Sequence, residues 1–233
     1  AVHSSLSAFG HVVGGAEAVV AALREVVTGE GTIVMPAYLL GPPAPLTEED
    51  RARGLAWKVP RLDFDDLTTR SGMGAIADLF RRHPGVVRWR HPVHSLAAWG
   101  RQAEELCVGF EPLVRANGSI LLLGVQMDRC SALHLAEDRV HLPEEIRRVQ
   151  AWPVPDEVRA CYPADQWLIG CEGAWPDFLL VQREAEQRGL VRQARIGEAE
   201  ARLFPAAPVV DLCTELLARD PWTVYGLPGP TDQ

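Results

Sequence analysis

The stretch that most constrains the fold covers residues 118–140 and reads GSILLLGVQMDRCSALHLAEDRV. It begins with four aliphatic residues, 120–123, a run that suits a buried strand and is too short to cross a membrane. Gly124 ends the run, a polar loop follows, and the helix predicted after the loop places His134 and Glu137 on one face. Open α/β sheets build their sites in this way, at the carboxyl ends of strands. The stretch predicts an α/β fold and raises the question whether His134 has a chemical role.

The first 35 residues predict a strand, a helix and a second strand. Residues 2–5 end a strand, residues 16–27 carry apolar side chains at helical spacing, and residues 32–35 are a buried strand. This order is typical of a βαβ unit, in which the two strands are parallel.

The loop of this unit is a candidate anion site. Ser4 and Ser5 leave the first strand toward the loop, and Gly14-Gly15 precedes the helix. Backbone N–H groups at such a helix start can approach a phosphate. A tight turn explains the two glycines as well, so both interpretations stay open.

Composition limits the class of protein. Of the 233 residues 47% are hydrophobic and 23% charged, as in ordinary globular chains. The net charge of −8 disfavours a nucleic-acid partner and suits a cationic small substrate, although an acidic protein without electrostatic preference fits equally well. No membrane span or targeting signal is visible, and the five cysteines form no CxxC pair. We therefore expect no membrane partner, reduced thiols and a cytoplasmic location.

We expect one α/β domain over residues 1–233, interrupted by long irregular inserts. Residues 37–68 lack clear periodicity, which is typical of a segment that covers a substrate or is partly mobile, and residues 149–163 are broken by prolines. The first residues read as the end of a strand already under way. We expect an upstream helix and part of the first strand to be absent from this numbering.

His134 is the first candidate for chemistry. Imidazole is the usual general base, and a carboxylate on its far nitrogen fixes the tautomer and raises its basicity. Glu137, three residues on, and Glu172, at the end of a strand predicted at 167–169, could each supply that carboxylate. The residue types alone decide neither between these carboxylates nor between a catalytic and a structural histidine.

Covalent and metal-dependent mechanisms are disfavoured. The candidate nucleophiles Ser4, Ser5, Ser95 and Cys130 lie in no recognised nucleophile motif, which favours direct transfer to an amine. The histidines of the stretch WRHPVHS lie three residues apart, but no third ligand follows at metal spacing, so we predict no metal site.

Four segments together resemble the aminoglycoside 3-N-acetyltransferases, also called the antibiotic N-acetyltransferase family. They are VHSSLSAFGHVVGGAEAVVAAL at 2–23, TTRSGMGAIADLFRRHPGVVRWRHPVHSLAAWG at 68–100, LLLGVQMDRCSALHLAE at 121–137 and IGEAEARLFPAAPVVDLCTELL at 196–217. The resemblance covers nearly the whole chain and runs in the family's order. It implies a mixed central sheet and the family's own fold, as distinct from the common N-acetyltransferase fold known as GNAT.

The resemblance also implies an activity and site residues. The activity is acetyl transfer from acetyl-CoA to the 3-amino group of an aminoglycoside, with His134 of the LHxAE motif as general base. Glu172, just after a tryptophan-containing strand, would orient His134. Glu137 would then join Asp128 at the amine site, and Trp57 lies in the insert that we expect to cover the substrate. The implied cofactor-binding residues are His3, Ser4, Ser5, Val13, Gly14, Gly15, Thr69, Ser71, Arg88 and Ser95.

Two alternatives stay open from the sequence. One keeps the chemistry and replaces the aminoglycoside by another cationic amine. The other is a non-catalytic CoA-binding protein in which His134 is structural. The resemblance allows a monomer or a homodimer.

Overall fold

The chain forms three sheets with helices packed around them, as a computed structural model describes it for residues 1–60, 67–89, 95–149, 167–171 and 175–229. The strands are β1 (Val2–Ser4), β2 (Thr32–Pro36), β3 (Leu55–Pro60), β4 (Val87–Trp89), β5 (Leu96–Gly100), β6 (Ser119–Leu123), β7 (Trp167–Cys171), β8 (Arg192–Ile196) and β9 (Ala199–Pro205). The helices are α1 (Gly15–Val27), α2 (Glu48–Ala52), α3 (Ala75–Phe80), α4 (Ala103–Leu106), α5 (Phe110–Arg115), α6 (Leu135–Asp138), α7 (Glu144–Val149), α8 (Phe178–Gln187), α9 (Ala206–Arg219) and α10 (Pro221–Tyr225). Three 3₁₀ turns cover Leu6–Phe9, Met127–Arg129 and Ser131–His134.

The sheet that carries the site is mixed, as predicted. Its strand order is β1-β6-β9-β8; β1 runs parallel to β6, and the other two pairings are antiparallel. The register sets His3 opposite Leu122. Gly197 and Glu198 connect β8 to β9, and the positive φ of Gly197 suits a two-residue hairpin turn.

The predicted parallel pairing within the first βαβ unit is wrong. β2 pairs with β5 in antiparallel orientation, in a second sheet of order β2-β5-β4. β1 pairs instead with β6, about 120 residues further along the chain. Helix α1 therefore connects two different sheets, which local periodicity cannot reveal because it reports an element and not its partner.

The first insert contains regular structure that the sequence analysis did not predict. Thr47 and Asp50 form a reciprocal capping box that starts α2, and Lys58 pairs with the buried Asp50 at 2.5 Å. β3 follows directly and pairs with β7 to form a third sheet. The sequence also predicts helices at 75–82, 178–188 and 209–218, and the structure confirms them within a few residues at each end.

Strand β6 lies between two hydrophobic clusters. Ile120 and Leu122 point into a cluster built mainly from α5, α8 and α9, whereas Leu123 points into one built mainly from α1, α3 and β2. Burial on both faces explains why β6 reads as an uninterrupted aliphatic run. Its carboxyl end at Gly124 is fixed from both sides.

Two further features concern membranes and cysteines. None of the described helices combines the length and the apolar character that a membrane span requires. Among the described residues Cys107, Cys130 and Cys213 are buried and free.

Candidate active site

The loop after β6 delivers His134, and Gly124 makes the geometry of that loop possible. Gly124 has φ of +67°, and a Cβ atom there would lie 2.4 Å from the Cβ of Ala8 and 3.2 Å from the carbonyl oxygen of Ser5. The end of β6 and the loop after β1 can therefore approach each other only at a glycine. Two successive 3₁₀ turns then lead into α6, with His134 closing the second turn.

His134 is held by Glu137, as close spacing on one helix face allows. His134 Nδ1 lies 2.5 Å from Glu137 Oε2, and the side chain of Glu137 is only 15% exposed. The other carboxylate oxygen, Oε1, accepts a hydrogen bond from the hydroxyl of Tyr225. Both oxygens of Glu137 are thus engaged, one by imidazole and one by phenol. A carboxylate on Nδ1 favours the tautomer with its proton on that nitrogen.

Aromatic rings from the start of α8 border the imidazole. The ring of Phe178 stands edge-on to His134 with centroids 5.1 Å apart, and the half-exposed Trp175 does so at 6.4 Å. Asp177 caps α8 by accepting the N–H groups of Leu179 and Leu180. The helix start is therefore fixed where it touches the histidine.

A cavity of about 630 Å³ opens beside His134. Asp128 on the β6 loop and Tyr38 after β2 lie on its wall, together with the segment Gly72–Gly74. Three residues at the carboxyl end of β1 also line it, namely His3, Ser4 and Ser5. Of the predicted site residues, the fold thus brings these three together with Asp128 and His134.

A second cavity, of about 480 Å³, continues toward the start of α1. Ser4, Ser5 and Gly74 line both cavities, and Gly15 lines the second one. Gly14 is the N-cap of α1 in the left-handed conformation, where a Cβ would lie 3.1 Å from that of Ala18. A ligand can therefore extend from the amino end of α1, past the two serines, to His134.

Burial sets the protonation state of several groups around the cavity. Burial lowers the pKa of His3 to about 3, and its Nε2 has no hydrogen-bond partner among the described residues. Burial raises the pKa of the Tyr38 hydroxyl, an effect opposed by its hydrogen bond with Ser131. Burial also raises the pKa of the Cys130 thiol to about 12. At neutral pH His3 is uncharged, and Cys130 is a thiol unsuited to nucleophilic attack.

A buried ionic cluster fixes the segment between the two cavities. Asp78 on α3 accepts the backbone N–H of Ser71 at 2.8 Å and Arg81 Nε at 3.0 Å. It also pairs with Arg82. Arg81, fully buried, donates in turn to the carbonyl of Thr69 at 2.6 Å. These bonds hold the backbone of the segment that begins at residue 69. Thr69 and Ser71, which are predicted to bind the cofactor, are thus bonded to this cluster through their backbone atoms.

Four more of the predicted site residues do not line either of the two cavities. Ser95 is buried, and its hydroxyl donates to the carbonyl of Ala37 at 2.6 Å, next to the cavity residue Tyr38. Arg88 lies in β4 opposite Ala97, and Trp57 lies in β3 beside β7. Val13, 83% exposed, borders a separate apolar cavity of about 910 Å³ along α1.

Glu172 and the two histidines of WRHPVHS lie outside the described residues. Within the described residues no group of three or more His, Cys, Asp or Glu side chains could hold a metal ion.

Sequence reasoning missed three contributors to the site. The sequence predicts an irregular tail at residues 221–233, which includes Tyr225. Asp220-Pro221 is nevertheless a typical helix start and could have indicated α10. Gln182 on α8 accepts the backbone N–H of Met127 at 3.0 Å and so fixes the loop that carries Asp128. No local signal distinguishes Gln182, or Tyr38 in the irregular insert.

The chain is similar to proteins of one known family along most of its length. The family model described as aminoglycoside 3-N-acetyltransferase matches residues 1–218. The SPbeta prophage-derived aminoglycoside N(3')-acetyltransferase-like protein YokD of Bacillus subtilis is 33% identical over 232 residues, which is 90% of this chain and 82% of the relative. Aminoglycoside N(3)-acetyltransferase VIII of Streptomyces fradiae is 30% identical, with 90% and 82% of the two chains covered.

Solved structures have the same fold. AAC-IIIb in a binary complex with CoASH superposes with a TM-score of 0.64 at 25% identity, over 98% of this chain and 91% of that one. A mutant of aminoglycoside acetyltransferase AAC(3)-IVa in complex with apramycin gives 0.67 at 25% identity, over 94% and 84%. The predicted fold, distinct from GNAT, is confirmed by these matches.

Proposed function

The chain belongs to the aminoglycoside 3-N-acetyltransferase family, and from this premise we propose that His134 is the general base for acetylation of an aminoglycoside's 3-amino group. The enzyme is an acyltransferase with acetyl-CoA as its cosubstrate. The observation that carries the proposal is the pair of cavities that meet at Ser4, Ser5 and Gly74 and end at His134.

The cofactor side of this path suits acetyl-CoA. Its pyrophosphate would lie at the amino end of α1, next to Gly15, which lines the smaller cavity. The pantetheine arm would pass Ser4 and Ser5 and bring the thioester into the larger cavity. AAC-IIIb, which shares the fold, forms a binary complex with CoASH, and this supports CoA as the cofactor.

The contact with Glu137 prepares His134 for proton transfer. Since Nδ1 points at Glu137 Oε2, we assign to Nε2 the role of accepting the proton from the incoming amine. The carboxylate then stabilises the imidazolium that forms. This geometry supports Glu137 as the carboxylate that orients His134. The orienting role of Glu172, which the family resemblance implies, stays a prediction.

The transfer needs no covalent enzyme intermediate. The amine nitrogen attacks the thioester carbonyl carbon while its proton moves to His134 Nε2. The tetrahedral intermediate then collapses with cleavage of the C–S bond, and the imidazolium returns the proton to the departing CoA thiolate. The products are an amide and CoASH, and His134 is neutral again.

The amine side of the cavity offers one carboxylate, Asp128, to a cationic substrate. Asp128 and Arg129 both line the cavity, with the Asp128 carboxylate 3.1 Å from Arg129 Nε. An aminoglycoside ammonium group would replace the exposed Arg129 as the partner of Asp128. Together with the net charge of −8, this supports a cationic acceptor, and a mutant of AAC(3)-IVa, which shares the fold, binds the aminoglycoside apramycin.

The proposal is tested by CoA release from acetyl-CoA with kanamycin-, gentamicin- and neomycin-type acceptors. We expect release that depends on the aminoglycoside, and NMR of the product should place the acetyl group on the 3-amino nitrogen. His134→Ala should lower kcat by about 10²–10⁴-fold and leave acetyl-CoA binding intact, because a general base contributes that much. Full turnover in this variant would refute the role of His134, and turnover only with other amines would refute the substrate class.

The two carboxylates are separated by a matched pair of variants. Glu137→Gln keeps the size of the side chain but removes the charge that stabilises the imidazolium, and it should lower kcat strongly. Glu172→Gln should have the smaller effect on kcat. The reverse order would restore Glu172 as the orienting residue.

A further inference from the structure

We infer that Tyr225 is a positioning residue for the catalytic histidine, acting through Glu137. Its hydroxyl donates to Glu137 Oε1 while the other oxygen of the same carboxylate contacts His134 Nδ1. Tyr225, Glu137 and His134 therefore form a continuous hydrogen-bonded chain from the core to the cavity. The inference rests on the proposed function in so far as it assigns His134 the catalytic role.

The origin of the tyrosine makes this contact specific. Tyr225 is the last residue of α10, 88 residues beyond Glu137, and it is only 5% exposed. Most of the ring is buried in the core cluster, and only the hydroxyl has a polar partner to reach. A buried phenol next to a carboxylate gains a charge-assisted hydrogen bond, which is stronger than a neutral one.

The backbone of α10 is fixed in a way that holds the hydroxyl in position. Asp220 caps the helix by accepting the N–H of Thr223 at 3.1 Å. At the other end, the carbonyl of Val224 accepts the N–H of Asp177 at 2.6 Å. Asp177 is itself the cap of α8, which places Phe178 against His134. The ring contact and the hydrogen-bonded chain thus share one support.

The consequence for catalysis is orientational. A carboxylate held by one partner can rotate about its terminal torsion, which has a broad and weak preference. With Oε1 fixed by Tyr225, Oε2 is directed at Nδ1, and Nε2 is directed toward the amine. Removal of the hydroxyl should therefore affect kcat, which depends on the alignment of the base, more than the KM of either substrate.

Tyr225→Phe removes the hydroxyl and keeps the ring. We expect kcat to fall about tenfold, the effect of losing one hydrogen bond to a charged group, with both KM values changed less than about twofold. Thr223→Val is the matched control, because it also removes one hydroxyl from α10, a hydroxyl that bonds to Asp220 and not to Glu137, and it keeps the backbone cap. It should leave kcat nearly unchanged. An equal loss of kcat in both variants would overturn the inference.

A spectroscopic readout separates positioning from catalysis. The proton between His134 Nδ1 and Glu137 should give a far-downfield ¹H NMR signal that disappears in His134→Ala. We expect Tyr225→Phe to shift or broaden this signal and Thr223→Val to preserve it. An unchanged signal and an unchanged kcat in Tyr225→Phe would refute the role of Tyr225. If His134→Ala keeps full turnover while Tyr225→Phe still alters the signal, the proposed function fails and the positioning of His134 by Tyr225 stands.

Discussion

Replacement of Asp78 by Ala should destabilise the enzyme more than any change to a surface ion pair. Asp78 is 2% exposed and accepts bonds from Ser71, Arg81 and Arg82. Arg81 is also fully buried, so the substitution removes the Asp78 carboxylate from beside a desolvated guanidinium. Breaking a buried pair from one side costs about 3–5 kcal/mol. For a chain of 233 residues, each kcal/mol lowers the thermal midpoint by about 2–4 °C.

Thermal unfolding followed by circular dichroism measures this effect. We expect the midpoint of Asp78→Ala to lie about 6–20 °C below that of the unaltered enzyme. The matched control is Glu49→Ala, which breaks the exposed pair with Arg53 and should cost less than about 1 kcal/mol. The double variant Asp78→Ala with Arg81→Met should recover part of the lost stability, since it also removes the buried guanidinium charge of Arg81. A midpoint for Asp78→Ala close to that of Glu49→Ala would refute the reasoning.

Two further predictions concern pH and the substrate loop. Burial lowers the pKa of His3 to about 3, whereas an unfolded histidine titrates near 6.5, so the unfolded chain binds more protons between these values. The free energy of unfolding should therefore fall by up to about 1.4 kcal/mol per pH unit as the pH drops below 6.5, and urea titrations should show a smaller fall in His3→Asn; equal slopes would contradict the assignment. Gln182→Met keeps the volume but leaves the N–H of Met127 unpaired, which should cost about 1–3 kcal/mol. Because Met127 adjoins Asp128, the KM of the aminoglycoside should rise more than that of acetyl-CoA in steady-state assays, and equal changes would argue against this role of the loop.

Local pattern was sufficient for elements whose burial is uniform or strictly periodic. The aliphatic run of β6 and the helical stripe of α1 are confirmed because each is dictated by a few neighbouring residues. The pairing of β2 with β5 could not be predicted in the same way, since both candidate partners of β2, β1 and β5, are short strands and periodicity does not choose between them. The hairpin of β8 and β9 carried a usable signal, a two-residue Gly-Glu connection between the exposed strand β8 and the largely buried strand β9.

The residues of the candidate site also differ in how far local pattern could predict them. Ser4 and Ser5 lie at the end of β1 and His134 follows the loop after β6, so the pattern of strand, loop and helix indicated them. The partner of Glu137 in α10 and the partner of Met127 in α8 come from positions 88 and 55 residues away. Such contacts depend on how α8, α9 and α10 pack, which single-sequence periodicity does not determine. They are also the contacts that orient the site.

A crystal structure with CoA and an aminoglycoside bound is the most direct test of His134 as the general base. We expect the CoA chain to lie along Ser4 and Ser5 and the 3-amino nitrogen to lie within about 3.2 Å of His134 Nε2, with Nδ1 still in contact with Glu137. A CoA thiol in the apolar cavity beside Val13, or an amine bound away from His134, would contradict it.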